Sequence, residues 1–284
     1  MQALAQWVMR GPLQASLAAV IAFALPFLFW LGAAIVALVT LRLGPRAGMM
    51  IAAWAVLPAA GWLFMGQDPA PLSVLMISLT MAWLLQATVS WERMLLGGAV
   101  AALLLGELIP RLLPELTAKL VEMGVSLYQQ MNPEMAAELG EELEPMVRLM
   151  MIGTTGALNF LMALLATLLG RGWQARLFNP GGFQREFHDF RLSGPATLVL
   201  VMVMAFAPML GANPALASLV FGVPLVVAGL ALVHGLVGRR NMGRVWLVVL
   251  YASVVVLGPS LLLMLIFVAI LDSWLDFRKR LSPH

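Results

Sequence analysis

The chain has 284 residues, 62% of them hydrophobic and only 11% charged, with a formal net charge of +3 and no cysteine. A soluble domain carries about 25% charged and ~45–50% apolar residues, so the apolar excess, set in runs near the ~20 residues that cross a bilayer, excludes a water-soluble fold. It predicts an all-α, polytopic helical membrane protein, and the missing cysteine excludes disulfides, c-type haem, iron–sulfur clusters and thiolate metal sites.

In chain order, Arg10 precedes an apolar run at 13–41 with Pro26 at its middle. That run is too long for a signal-peptide core and lacks a cleavage site, so it is read as retained. A basic turn, Arg42-Leu43-Gly44-Pro45-Arg46, leads to spans at 49–65, 72–90 and 94–109, with the Gly66–Pro69 turn and Glu92-Arg93 between them. Pro110 opens a different segment. Residues 110–146 are mostly polar, with seven glutamates from Glu115 to Glu144. Leu116, Leu120, Met123 and Leu127 step by 4, 3, 4, an amphipathic helix. Asn132-Pro133 ends it, and a shorter acidic helix follows to Glu142. A span at 149–169 leads to a basic and aromatic elbow at 171–195, then to spans at 196–210 and 215–237. After the basic turn of Arg239, Arg240 and Arg244, the last run, 245–271, is broken at Gly258-Pro259 and ends in Asp272 and Arg278-Lys279-Arg280. The expectation is about eight transmembrane segments in one integral domain, 1–284, with the first and last broken at Pro26 and Gly258-Pro259.

Lys and Arg collect in cytoplasmic loops, which orients the chain. If the terminal runs each cross once, Arg278–Arg280 fall opposite the other basic turns. If each folds back at its proline, 14 of the 17 Lys+Arg share the cytoplasmic side, and only Arg111, Lys119 and Arg148 remain with the acidic insert. Charge therefore favours reversal. Length favours a single crossing, because half-runs of about 13–15 residues fall below the ~20 of a straight span and proline more often kinks a long helix than reverses it. Either way the 171–195 elbow is cytoplasmic and the 110–146 insert extracytoplasmic. In the elbow, Phe183, Phe187 and Phe190 recur at i, i+4, i+7 after Asn179-Pro180-Gly181-Gly182. Aromatics opposite arginines suit a helix in the headgroup layer.

No catalytic constellation stands out. The histidines, His188, His234 and His284, are not spaced as metal ligands, and no phosphate-binding glycine motif occurs, so no metal or cofactor is predicted. The high pI of about 9.9 reports topology rather than nucleic-acid binding. Polar groups inside spans are more informative, since burying them costs free energy unless they find partners. Gly153-Thr154-Thr155-Gly156 and Asn159 suit either close helix packing, with Asn159 bonding across the contact, or a ligand-facing role. Glu107 is the only acidic residue inside a span; it either reaches water at the outer edge or binds a cation or substrate amine. His234 is read as packed or interfacial. Glu92-Arg93 is read as a solvated pair, and Asp272 as a helix-end polar group or a partner for an elbow arginine.

Three stretches stand together: Pro26 and the run into Leu41-Arg42-Leu43-Gly44-Pro45-Arg46-Ala47-Gly48; the elbow from Phe183 to Leu192 into Gly194-Pro195; and a last span into Leu271-Asp272 and Asp276-Phe277-Arg278-Lys279-Arg280. In this arrangement the chain resembles, over nearly its whole length, the YybS-like family of uncharacterised bacterial inner-membrane proteins. That family is similar to the S subunits of energy-coupling-factor vitamin transporters. The resemblance implies a compact α-helical subunit that binds a small molecule and draws energy from a separate ATPase module; it implies no particular binding residues.

The resulting expectation is a multi-pass protein of the bacterial inner membrane, of transport type and without an enzyme active site. Asn159, Thr155 and Glu107 are the candidate substrate-binding residues. Arg176, Arg185, Phe187 and Arg191 are the candidate contacts to lipid or to a partner, either a cytoplasmic ATPase module or another membrane protein. The alternative is a membrane scaffold docking partners on both faces. A membrane-embedded enzyme acting on lipid ranks third, since no nucleophile–base pair or metal cluster is visible.

Overall fold

The computed structural model describes residues 2–280, and all regular structure among them is helical; His284 lies outside the described residues. A short α1 (Gln2–Val8) precedes α2 (Pro12–Ala24), α3 (Phe29–Leu43) and α4 (Pro45–Gly66). Pro26 does break the first run. Leu25 is extended at φ −87°, ψ 134°, as the residue before a proline prefers, and Phe27 takes a left-handed φ of 62°. The chain then reverses: a β-carbon at Gly32 of α3 would meet the Phe23 ring and lie 3.3 Å from the Ala19 carbonyl oxygen of α2. Trp62 Nε1 of α4 donates to the Phe23 carbonyl at 2.8 Å and ties down the hairpin tip.

Next come α5 (Ala70–Thr88), α6 (Trp91–Leu112), α7 (Pro114–Met131), α8 (Pro133–Leu139) and the 36-residue α9 (Leu143–Phe178). The elbow helix is α10 (Gly182–Asp189), followed by α11 (Gly194–Phe206), α12 (Pro214–Arg239), α13 (Val245–Leu257), α14 (Pro259–Leu275) and α15 (Phe277–Arg280). Side-chain caps mark three starts: Ser90, Ser193 and Asn213 accept from the backbone N–H groups of Arg93, Ala196 and Leu216. The last run breaks at Gly258, which takes φ 53° before Pro259. Arg239 Nη1, at the end of α12, donates to the Arg278 carbonyl at 3.3 Å. The described end of the run therefore returns to the face from which α13 departs, the arrangement that charge favoured over length.

Five helices, α4, α5, α6, α9 and α12, are long and apolar enough to cross a membrane; a sixth crossing is reached if α10 and α11, bent 71° apart, count as one. The chain is a multi-pass helical membrane protein with five or six candidate spans, and the terminal runs, expected to bring the total to eight segments, do not add to them. Reversal is the physical reason. It divides the terminal runs into helices of 13, 15, 13 and 17 residues, each shorter than the ~20 of a straight span.

Two helices sit at the centre. Every residue of α3 from Gly32 to Thr40 is buried, and α12 is buried along most of its length. Helix α9 touches both through small residues. A β-carbon at Gly170 would lie 2.8 Å from the Ala34 carbonyl oxygen of α3, and one at Gly153 2.8 Å from the Leu216 backbone nitrogen of α12. Without water to drive apolar surfaces together, such close approach is what holds helices in lipid. One end of the bundle carries exposed Arg10, Arg42, Arg46, Arg93, Arg176 and Arg239 (the basic face); Asp68, Glu107 and the glutamates of α7 and α8 occupy the other (the acidic face).

Candidate functional site

At the acidic face, α5, α6, α7 and α9 enclose a partly open cavity of about 620 Å³, counted with its mouth. Ile77, Ala102, Leu105 and Ile109 form apolar walls, and Leu116, Leu120 and Val121 of α7 lie across it. The amphipathic expectation for α7 holds for Leu116 and Leu120, which are half-buried against the cavity, and not for the rest of the stripe. The helix packs through Thr117 and Val121 onto Leu143 and Val147, while Met123 and Leu127 are 68% and 58% exposed. The fold sets the buried face a fraction of a turn from the most apolar stripe, because that is where α9 lies.

Four polar residues line the cavity. Two are satisfied locally: Ser73 Oγ donates to the Pro69 carbonyl at 2.8 Å, and Thr117 Oγ1 to the Leu113 carbonyl at 3.0 Å. The other two, Thr155 and Asn159, are one helical turn apart on α9 and have no hydrogen-bond partner among the described residues. Asn159 thus makes no bond across a helix contact. Gly153 and Gly156 carry the packing against Leu216, while exposed Thr155 and half-buried Asn159 lie on the cavity wall.

Glu107 is not among the cavity's lining residues. Its Oε1 accepts the Asn213 backbone N–H at 2.6 Å and its Oε2 the Arg111 guanidinium at 3.1 Å. Asn213 also donates through Nδ2 to the Leu149 carbonyl at 3.1 Å. Glu107 therefore binds the start of α12 to α6, a pairing the spacing of 106 residues concealed.

At the basic face, the elbow helix folds inward. Trp91, at the start of α6 and 6% exposed, meets the rings of Phe183, Phe187 and Phe190 at 5.7, 5.6 and 5.8 Å. The predicted i, i+4, i+7 face is real, but it closes on one tryptophan. Phe187 also meets His234 at 5.2 Å, so it is half-buried within the protein. Buried Arg171 pairs with Glu186, which accepts Trp91 Nε1 at 3.3 Å as well. Glu92 is engaged too: its Oε2 accepts the Ser193 N–H at 2.6 Å. The Asp272 carboxylate pairs with Arg278 at 2.5 Å, and elbow Arg191 instead reaches Asp276 at 3.6 Å and the Asp272 carbonyl at 3.2 Å. Of the candidate contact residues only Arg176 and Arg185 are exposed and without an ion-pair partner among the described residues.

His188 of α10 is held below its ordinary pKa of 6.5 by burial first, then by His234, Arg239 and Arg278, with Asp189 opposing. A base depressed in the fold is protonated more readily once unfolded. Its contribution is intact above the unfolded value and is lost as pH falls below about 6.5. The thermal midpoint of the purified protein is therefore expected to drop between pH 7.5 and 5.5, and to drop less in His188→Gln. Equal drops in the two proteins exclude His188 as the cause.

Among the described residues no group of three or more His, Asp or Glu side chains is arranged to hold a metal ion. No protein-family model, curated protein or solved structure matches the chain, so its likeness to other proteins adds nothing to the geometry above.

Proposed function

We propose that the chain is a transport-type subunit of the bacterial inner membrane that binds a small, largely apolar molecule in the cavity between α5, α6, α7 and α9. The observation that carries this is the pair of unpartnered polar side chains, Thr155 and Asn159, on the wall of a largely apolar cavity whose other polar groups, Ser73 and Thr117, are satisfied locally. Ligand sites combine apolar walls with a few placed polar groups in this way. The basic face is cytoplasmic on the positive-inside rule, and Arg176 and Arg185 there are available to a separate energising module, in keeping with the YybS-like resemblance. Glu107 supports the site indirectly by fixing α12 against α6.

The test is chemical. Protein purified from membranes is extracted with solvent, and small molecules retained in stoichiometric amount are identified by mass spectrometry. One such molecule is expected with the unmodified protein. Its occupancy is expected to fall at least tenfold in Thr155→Val/Asn159→Ala, since two hydrogen bonds are together worth about 2 kcal/mol. Equal occupancy in both proteins rejects the site.

The scaffold reading has its own observation: Met123, Leu127, Met131 and Met135 expose an apolar row on the acidic insert. Co-purification separates the two. An ATPase bound at the basic face supports transport; a partner retained by the insert alone supports a scaffold.

A further inference from the structure

The first acidic residue in the chain is Asp68. The corner built from the α1–α2 junction, the end of α3 and the start of α4 consequently holds arginines and no carboxylate. Arg10, Arg42 and Arg46 are exposed there, and none is ion-paired among the described residues. The Arg42 guanidinium lies 4.1 Å above the Phe178 ring, which brings the end of α9 and exposed Arg176 to the same corner.

A narrow apolar groove opens beside these arginines, between α1 and α2 on one side and α3 and α4 on the other. It measures about 290 Å³ with its mouth, and Met9, Pro12, Ala15, Val39, Leu43 and Met50 line it. Each arginine is the chain neighbour of a residue on the groove wall: Arg10 of Met9, Arg42 of Leu43 and Arg46 of Ala47. Leu13 and Leu17 continue the apolar surface along α2 and are 68% and 46% exposed.

We propose that this corner binds one anionic phospholipid, its phosphate among Arg10, Arg42 and Arg46 and one acyl chain in the groove. Guanidinium groups match phosphate oxygens bidentately. An acidic protein segment would satisfy the arginines but has no use for the apolar lining beside them, whereas an acyl chain matches it. The groove also continues into the lipid-exposed surface of α2, so the lipid reaches it without leaving the bilayer. Bound there, it bridges the terminal hairpin to α4.

The experiment titrates the full-length protein in neutral detergent with phosphatidylglycerol, phosphatidylcholine or inorganic phosphate and counts bound lipid by native mass spectrometry. One phosphatidylglycerol is expected to bind saturably, at least tenfold tighter than phosphatidylcholine. Replacing Arg10, Arg42 and Arg46 together by Gln lowers its affinity about a hundredfold, at roughly fivefold per arginine. Ala47→Phe, which fills the groove and keeps the charges, also lowers it. Replacing Arg185, Arg240 and Arg244 by Gln removes the same charge elsewhere and leaves binding intact. If this distal triple weakens binding as much as the first, the attraction is diffuse and the site is overturned. Equal binding of the two lipids overturns it as well. So does displacement by inorganic phosphate with a folded Ala47→Phe unaffected, which reduces the corner to an anion site. Should Ala47→Phe fail to fold by thermal melting, the two arginine triples, all at exposed positions, decide.

Discussion

Trp91→Ala is expected to destabilise the protein by about 3–5 kcal/mol, the usual loss on emptying a buried tryptophan site, and to free the elbow helix. Trp91 is the common contact of Phe183, Phe187 and Phe190, three rings from one helix and its exit. Its indole N–H also reaches Glu186, the partner of buried Arg171. Removing it opens a cavity under α10 and withdraws a donor from that carboxylate in one step. Thermal unfolding in detergent measures the first effect, and tryptic cleavage after exposed Arg185 measures the second. Trp91→Phe should fall between, keeping a ring and losing the N–H. If Trp91→Ala leaves Arg185 as protected as before, the ion pairs rather than the aromatic clamp hold the elbow.

Asp272→Leu is expected to cost about 3–5 kcal/mol, because removing one member of a buried ion pair leaves the other charge in a poor solvent. Asp272 and Arg278 are each 3% exposed at the side chain and 2.5 Å apart. Burial pushes the Arg278 pKa down, and Asp272 is the main influence drawing it back. The same guanidinium donates to the His188 and Phe190 carbonyls at 3.2 and 2.7 Å, so the pair fastens the end of α14 to the elbow. Asp272→Asn should cost less, since an amide oxygen can still accept the Phe277 N–H that Asp272 Oδ1 accepts at 2.9 Å. The double variant Asp272→Leu/Arg278→Met should recover part of the loss while leaving two elbow carbonyls without that donor. A double-mutant cycle by thermal or denaturant unfolding reads the coupling directly. Additive single losses would show that the two residues act separately.

The site was legible only in part. Thr155 and Asn159 could be chosen because polar atoms in apolar spans are costly, and one turn of helix puts them on one wall. Which wall that was depended on α7 folding across α9. Glu107 carried the same signal, yet its partner is the backbone of Asn213, to which no local pattern points. Trp91 drew no reading from the sequence, because nothing in its surroundings marks it as the anchor of a helix more than ninety residues away.

By itself the sequence determined what local chemistry controls. Helical membrane character follows from composition. The breaks at Pro26, Asn132-Pro133 and Gly258-Pro259 follow from missing N–H groups and glycine's φ range, and the division into a basic and an acidic end follows from where arginine and glutamate stand. Tertiary structure alone decided whether those breaks reverse the chain, because Gly32 must meet Ala19 and Phe23 for the first hairpin to close. It also decided that the elbow's aromatic face turns inward, and that α7 covers the cavity. These are contests between lipid, water and protein for the same apolar surface, and they are settled by which partner lies within reach in space rather than by spacing along the chain.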